Sequence, residues 1–341
     1  MNLKELEKIQ SETNHFENLE IEEIYHVLSV IEDNISNLPI FIFSNQHYAP
    51  ELCKQDQTTQ FVSGQHILSY DQNKISTLCK MIYNTLDNKK GSSDSFSPKL
   101  KDPIQYFVSF QSEHILAASN TLRSIDFCYH QELISDAFVL LRKYRDDLLQ
   151  YLIISNILSK YCEVYDDQSD YQFKSAVEAW LFQLLDKNFS TNTKEYKRFF
   201  SYASYSQYLK ENIFTKEIFS KYFPCWDENN KTLNNFVHTN SIRYIVANIP
   251  GKNINLKDHF FYLLHMITDV FLSCEILLEG YHIRSDDHIS SLEIGVQPPE
   301  GSEYWISENI SQYLTKYFSL ELRQYLYKNN RFRMEIPVDK K

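Results

Sequence analysis

Apolar residues recur along most of this chain at intervals of three and four, the spacing that places them on one face of an α-helix. Leu3, Leu6 and Ile9, and then Ile21, Ile24, Leu28 and Ile31, predict one or two amphipathic helices within residues 1–36, with acidic outer faces. Residues 75–86 read as a further helix. A helix is predicted over 103–128, followed by a longer one from Gln131 to about Tyr161, in which Ile134, Phe138, Leu141, Leu148 and Leu152 keep the helical spacing. From Leu148 to Leu158 that longer helix is apolar nearly all round, which predicts a position at the centre of a bundle. Helices follow at 171–187, 193–210, 215–222 and 231–247, the last closed by Asn248, Ile249, Pro250 and Gly251. The segment 256–279 places Phe260, Leu264, Ile267, Phe271, Cys274 and Leu278 on one face, and a final helix covers 303–328.

Two short stretches alternate instead, Leu292–Val296 and Phe332–Ile336, and predict a small two-stranded ribbon near the C-terminus. Residues 38–43 fit either a short strand or a buried turn. The chain has only 6 Gly and 9 Pro in 341 residues, too few for the tight hairpins of a sheet-rich protein of this length. The expected fold class is therefore all-α, a multi-helix bundle. Residues 88–98, rich in Lys, Gly and Ser, mark a linker or exposed loop. This divides the chain into an acidic helical part (1–87), a connection (88–102) and a larger helical part (103–341). No repeat of solenoid period is present.

Charge narrows the partners. Residues 1–87 hold 13 acids against 5 bases, so most of the net charge of −11 lies there. A chain of this sign does not present the basic surface of a broad nucleic-acid binder. Residues 310–341 reverse the balance with seven Lys and Arg against three acids, leaving room for a local basic groove. The acidic N-terminal part suits a protein partner. The six cysteines are scattered with no Cys-x-x-Cys pair, the usage of a reducing cytoplasm. The charged N-terminus lacks the apolar core of a signal peptide, and no window reads as a membrane span, so a cytoplasmic protein with no membrane partner is expected.

Candidate chemistry centres on Asn234-Asn235-Phe236-Val237-His238-Thr239-Asn240. Asn234 and His238 stand one turn apart on a helix and share a face. An amide beside an imidazole can bind a phosphate or orient a proton donor; equally, the pair can hydrogen-bond across a bundle and hold helices together. On the preceding long helix, Arg145 falls on the apolar stripe between Leu141 and Leu148, so its guanidinium needs a partner in the core. Arg142 and Asp146 form an i,i+4 pair beside it.

Other patterns are weaker. Arg123 and His130 bracket six intervening residues at a predicted helix junction. Glu-x-x-His occurs at Glu12/His15, Glu23/His26 and Glu279/His282, and His265/Asp269 are four apart, but a di-iron bundle needs two such motifs and two further inward carboxylates on core helices. No metal site is expected. Walker, Gly-x-Gly-x-x-Gly, Gly-x-Ser-x-Gly and His-Glu-x-x-His motifs are absent, and no cofactor is expected. The aromatic cluster over 199–205 fits packing better than base stacking.

The long helix followed by Asn234-x-x-x-His238 resembles HEPN-type helical proteins of toxin–antitoxin and phage-defence systems, over about residues 105–250. Asn234 and His238 match the Asn and His of that family's Arg-Asn-x-x-x-His, while Leu233 stands where its Arg belongs. Leu140-Leu141-Arg142 with Asp146 is similar to the Arg/acid pair on an earlier helix of some divergent members. The resemblance implies a metal-independent RNase and commonly a homodimer. His238 would move a proton at the ribose 2′-hydroxyl or the leaving oxygen, and a guanidinium would stabilise the developing phosphate charge. With Leu233 in place, that guanidinium must come from Arg142 or Arg145. Arg243 lies ~140° round the helix from His238. The competing expectation is a non-catalytic helical interaction or scaffold subunit that docks a protein partner.

Overall fold

The structure, a computed structural model, describes residues 21–35, 103–162, 202–237, 246–249, 254–294 and 296–338. Those residues form an all-α bundle. Helix α1 spans 21–35, α2 Pro103–His130, α3 Ile134–Cys162, α4 Tyr202–Glu211, α5 Trp226–Val237 and α6 Ile254–Leu278. Then come α7 Asp286–Glu293, α8 Glu308–Tyr317 and α9 Leu320–Asn329. The expected elements at 38–43, 75–86, 88–102 and 171–187 lie outside the described residues.

Helices α2 and α3 form an antiparallel hairpin whose turn is set by the backbone. Leu133 N–H donates to Cys128 O (2.8 Å) and Glu132 N–H to Tyr129 O (3.0 Å), the paired closing bonds of a Schellman cap. Its left-handed position is held by Glu132, with φ 57°, where glycine would be unstrained. The next helix is capped from afar: Asn248 Oδ1 accepts the N–H of Ser135 (2.7 Å), satisfying a donor in the first turn of α3.

Helix α3 is the hub, packed by α2, α4, α5 and α6. Ile134, Phe138, Leu141, Leu148 and Leu152 are fully buried, as the apolar stripe predicts, and so are Tyr144 and Tyr151. Each such large apolar side chain contributes roughly 1.5–3 kcal/mol on leaving water. Phe138 of α3 stacks on Phe236 of α5 at 3.9 Å between ring centroids and meets Phe260 of α6 edge-on. Helix α1 belongs to the same core through Ile24, Val27, Leu28 and Ile31. It is tied down by Glu32 to Ser112 of α2 and by Glu23 to Lys316 and Tyr317 of α8 and its end.

Three expectations change. The segment Leu256–Leu278 is by length and composition long and apolar enough to cross a membrane, contrary to the expectation that no window reads as a span; 78% of its most apolar window is buried inside the bundle. The two-stranded ribbon does not form among the described residues. Residues up to Glu293 close as α7, and the extended tail 332–338 is tied by Glu335 N–H to Tyr304 O (2.8 Å) rather than to a partner strand. The single helix expected over 303–328 is two. Ser319 takes an extended conformation (φ −62°, ψ 150°) and its hydroxyl accepts from Leu322 N–H, so it starts a new helix by capping it.

Candidate functional site

The residues singled out on α3 meet α5. Arg145 is 0% exposed, and its guanidinium is engaged on every side. Nε and Nη2 both donate to Asp146 Oδ1, at 2.9 and 2.6 Å. Nη1 donates to Asn230 Oδ1 at 2.8 Å. The Tyr202 ring of α4 lies against the guanidinium plane, 3.8 Å from centroid to Cζ. Asn230 is oriented for this by donating its Nδ2 to the carbonyl of Trp226 one turn earlier (2.6 Å), which leaves Oδ1 facing Arg145. Burial pushes the Tyr202 hydroxyl up to about 12, against the opposing pull of the Arg145 charge.

Asp146 serves two arginines. Its Oδ1 takes Arg145, and its Oδ2 lies 3.9 Å from Arg142 Nε, in a pair whose side chains are 31% and 34% exposed. Arg142 is thus the guanidinium of the two that solvent, or a phosphate, can reach. Asn234 is half-buried on α5, one turn beyond Asn230. Leu233 is fully buried in the core, so the position that holds Arg in the HEPN pattern is here an apolar packing position. His238 and Arg243 lie outside the described residues. The structure therefore brings together Arg142, Arg145 and Asp146 and joins them to the helix of Asn234, through Asn230 rather than through Asn234 itself.

The second candidate pair goes elsewhere. Arg123 bonds the Tyr25 hydroxyl of α1 and covers its ring, and His130 pairs with Asp126 at 3.1 Å at the end of α2. Of the Glu-x-x-His patterns, Glu12/His15 lies outside the described residues. Glu23 is bound to Lys316 and Tyr317, and His26 sits 3.9 Å from Glu22. His265 and Asp269 both approach the Tyr313 hydroxyl, at 3.4 and 3.0 Å. Among the described residues no three His, Cys, Asp or Glu side chains form a group able to hold a metal.

A second polar cluster, of which the sequence marked only His282, through its Glu-x-x-His pattern with Glu279, is sealed in the core between α3, α6 and the turn after α6. Tyr151, Glu275 and His282 are essentially fully buried. The Tyr151 hydroxyl donates to Glu275 Oε1 (3.0 Å) and lies 2.7 Å from His282 Nδ1, which is 2.6 Å from Glu275 Oε1. Burial pushes the Glu275 carboxyl up to about 8, with the Tyr151 bond opposing. Burial also pulls the His282 imidazole down to about 4, with Glu279 opposing and Arg284 adding to it. Both groups are then uncharged near neutral pH, and the 2.6 Å Nδ1–Oε1 contact joins a neutral carboxyl to a neutral imidazole, with Tyr151 donating to the same carboxyl oxygen. The other carboxyl oxygen, Oε2, has no hydrogen-bond partner. Asn34 of α1 then donates to the His282 and Arg284 carbonyls (2.7 and 3.1 Å), locking α1 onto this turn.

The signal for this cluster was Glu275 itself, an acid between Cys274 and Ile276 in the most apolar helix among the described residues. For Arg145 the signal was its place on the apolar stripe. No protein-family model, curated protein or solved structure matches the chain.

Proposed function

We propose that this chain is a HEPN-like helical effector that cleaves RNA without a metal, in a phage-defence or toxin setting. The observation that carries the reading is the docking of the Arg142–Arg145–Asp146 group of α3 directly on α5, the helix that leads into His238, through the 2.8 Å Arg145–Asn230 bond. In this reading His238 is the proton-transfer group and Asn234, four residues earlier in the chain, its partner. Arg142, half-exposed and held by Asp146 Oδ2, supplies the charge that a phosphate needs. Arg145 is a positioning residue: buried and fully engaged, it fixes Asp146 and joins α3 to α5.

A second reading draws on that same burial. A guanidinium with no exposed surface and every donor nitrogen occupied is also what a purely architectural tie requires, and a non-catalytic subunit docking a protein partner through its acidic N-terminal part would need nothing more. The two readings part on paired variants. If the chain is an RNase, Arg142→Ala lowers cleavage of RNA by about 10²-fold or more with little change in melting temperature, as removing one transition-state donor does. Arg145→Ala lowers both. If Arg142→Ala leaves an active protein unchanged, Arg142 is not the phosphate-binding group; if the wild-type chain cleaves no RNA, the scaffold reading stands.

A further inference from the structure

The chain is acidic overall, yet one face built from two segments distant in sequence concentrates cations and aromatic rings. The segments are 213–222, ending in the π-helical turn Ile218–Tyr222, and 320–335, comprising α9 and the tail after it. Tyr222 and Tyr325 bring them together, with ring centroids 5.3 Å apart and planes inclined by 47°. Lys221 pairs with Glu321 at 2.8 Å and its ammonium lies 4.8 Å from the Tyr222 centroid. On the same junction the Arg331 guanidinium lies 5.2 Å from the Phe214 ring and 5.4 Å from Phe332.

The outward chemistry of α9 follows its helical period. Glu321, Tyr325 and Lys328 share a stripe, while Tyr327, on the other flank of the helix's exposed side, is 51% exposed. Arg333 takes a left-handed φ of 55° and is exposed. Counting side chains at least partly exposed in the two segments, Lys216, Lys221, Lys328, Arg331 and Arg333 face Glu217, Glu321 and Glu335. A positive balance is notable in a chain of net charge −11. The π-helical turn is itself a rare conformation that concentrates at functional sites.

We infer that this face binds single-stranded nucleic acid. Half-exposed tyrosines next to lysine and arginine are the combination that grips a single strand, because every base has a face to stack and every nucleotide a phosphate to pair. A duplex would offer no unstacked bases to Tyr222 and Tyr325. The surface shares no named residue with the α3–α5 site, and binding here does not require that site to cleave.

The test is fluorescence anisotropy of the full chain with a labelled 20-nucleotide oligo(U), the matching oligo(dT) and a polyglutamate chain as an acidic non-nucleic control. The His238→Ala protein is run beside the wild type, so that cleavage and binding are read separately. The expected result is binding to a single strand at low salt. With about three phosphates neutralised, log K should fall against log salt with a slope near −2. Lys221→Ala/Lys328→Ala/Arg333→Ala should weaken binding at least tenfold and flatten that slope, and Tyr325→Ala should weaken it by roughly tenfold through lost stacking. Lys→Arg at 221 and 328 should retain it, which separates loss of charge from loss of fold. A preference for oligo(U) over oligo(dT) would identify RNA as the source, and equal binding would identify any single strand. No binding at low salt, binding indifferent to these variants, or polyglutamate binding as tight as oligo(U) would each overturn the inference. Binding without cleavage would leave it standing while removing the RNase reading.

Discussion

Replacing Glu275 by Gln keeps the shape of the buried cluster and removes its ionisation, so the effect on stability should depend on pH in a predictable way. In the folded chain burial raises the carboxyl to about 8, against 4.5 when exposed. A group raised in this way contributes stability that is full below 4.5 and lost as pH rises through about 8. His282 acts in the opposite sense: lowered to about 4 from 6.5, it contributes stability present above 6.5 and lost as pH falls through 4. The two overlap below pH 6.5, so the clean window for Glu275 runs from 6.5 to about 8. Across it, at ~1.4 kcal/mol per pH unit, wild-type stability should fall by about 2 kcal/mol from this group alone. Glu275→Gln should lack that component. It will carry a constant offset, because the amide sets an –NH2 where Oε2 had no partner, at about 1–3 kcal/mol independent of pH. Urea unfolding of both proteins at pH 6.5 and 8 measures the difference in slope, and groups common to both cancel. Parallel pH profiles for the two proteins would refute the assignment of a buried, protonated Glu275.

Other expectations follow from single contacts. Glu132→Gly should raise stability by about 0.5–1 kcal/mol in urea midpoints, because the Schellman position then carries no left-handed strain, less the greater backbone entropy of glycine and a long pairing with Lys257. Asn34→Ala should cost about 1–3 kcal/mol by leaving the His282 and Arg284 carbonyls without that donor, and should raise hydrogen exchange in α1 before the rest of the bundle. Ser319→Ala removes the cap that separates α8 from α9 and should cost about 1 kcal/mol, read as a lower melting temperature. The resemblance to HEPN proteins predicts at least a dimer; a monomeric mass by light scattering across micromolar concentrations would count against it.

The long elements were legible because their apolar period runs unbroken for many turns. The stripe on α3 gives its burial and its central place, and Phe260 to Leu278 does the same for α6. Where the period misleads, a local backbone preference wins. Ile310, Leu314, Phe318, Leu322 and Leu326 are all buried and read as one helix, yet Ser319 breaks it by capping the next. The alternation at 292–296 is too short to distinguish a strand from the end of α7. At the site, the apolar stripe shows that Arg145 must find a partner, but not that the partner is Asn230, 85 residues away, or that Tyr202 stacks on it. Those identities depend on how α4 and α5 cross α3. The pairing of Glu275 with His282 was hidden for the same reason: seven residues apart, they meet because the chain turns after Leu278.

The proposed function assigns proton transfer to His238 and phosphate binding to Arg142, which reaches solvent, with no metal. Cleavage of labelled RNA by the purified full chain in excess EDTA, compared with His238→Ala and Arg142→Ala at matched melting temperatures, tests that most directly. The account predicts cleavage by the wild type in EDTA, none by His238→Ala, and at least a hundredfold loss for Arg142→Ala. A folded wild-type chain that leaves RNA intact, or a His238→Ala chain that cuts it as fast as the wild type, would contradict it.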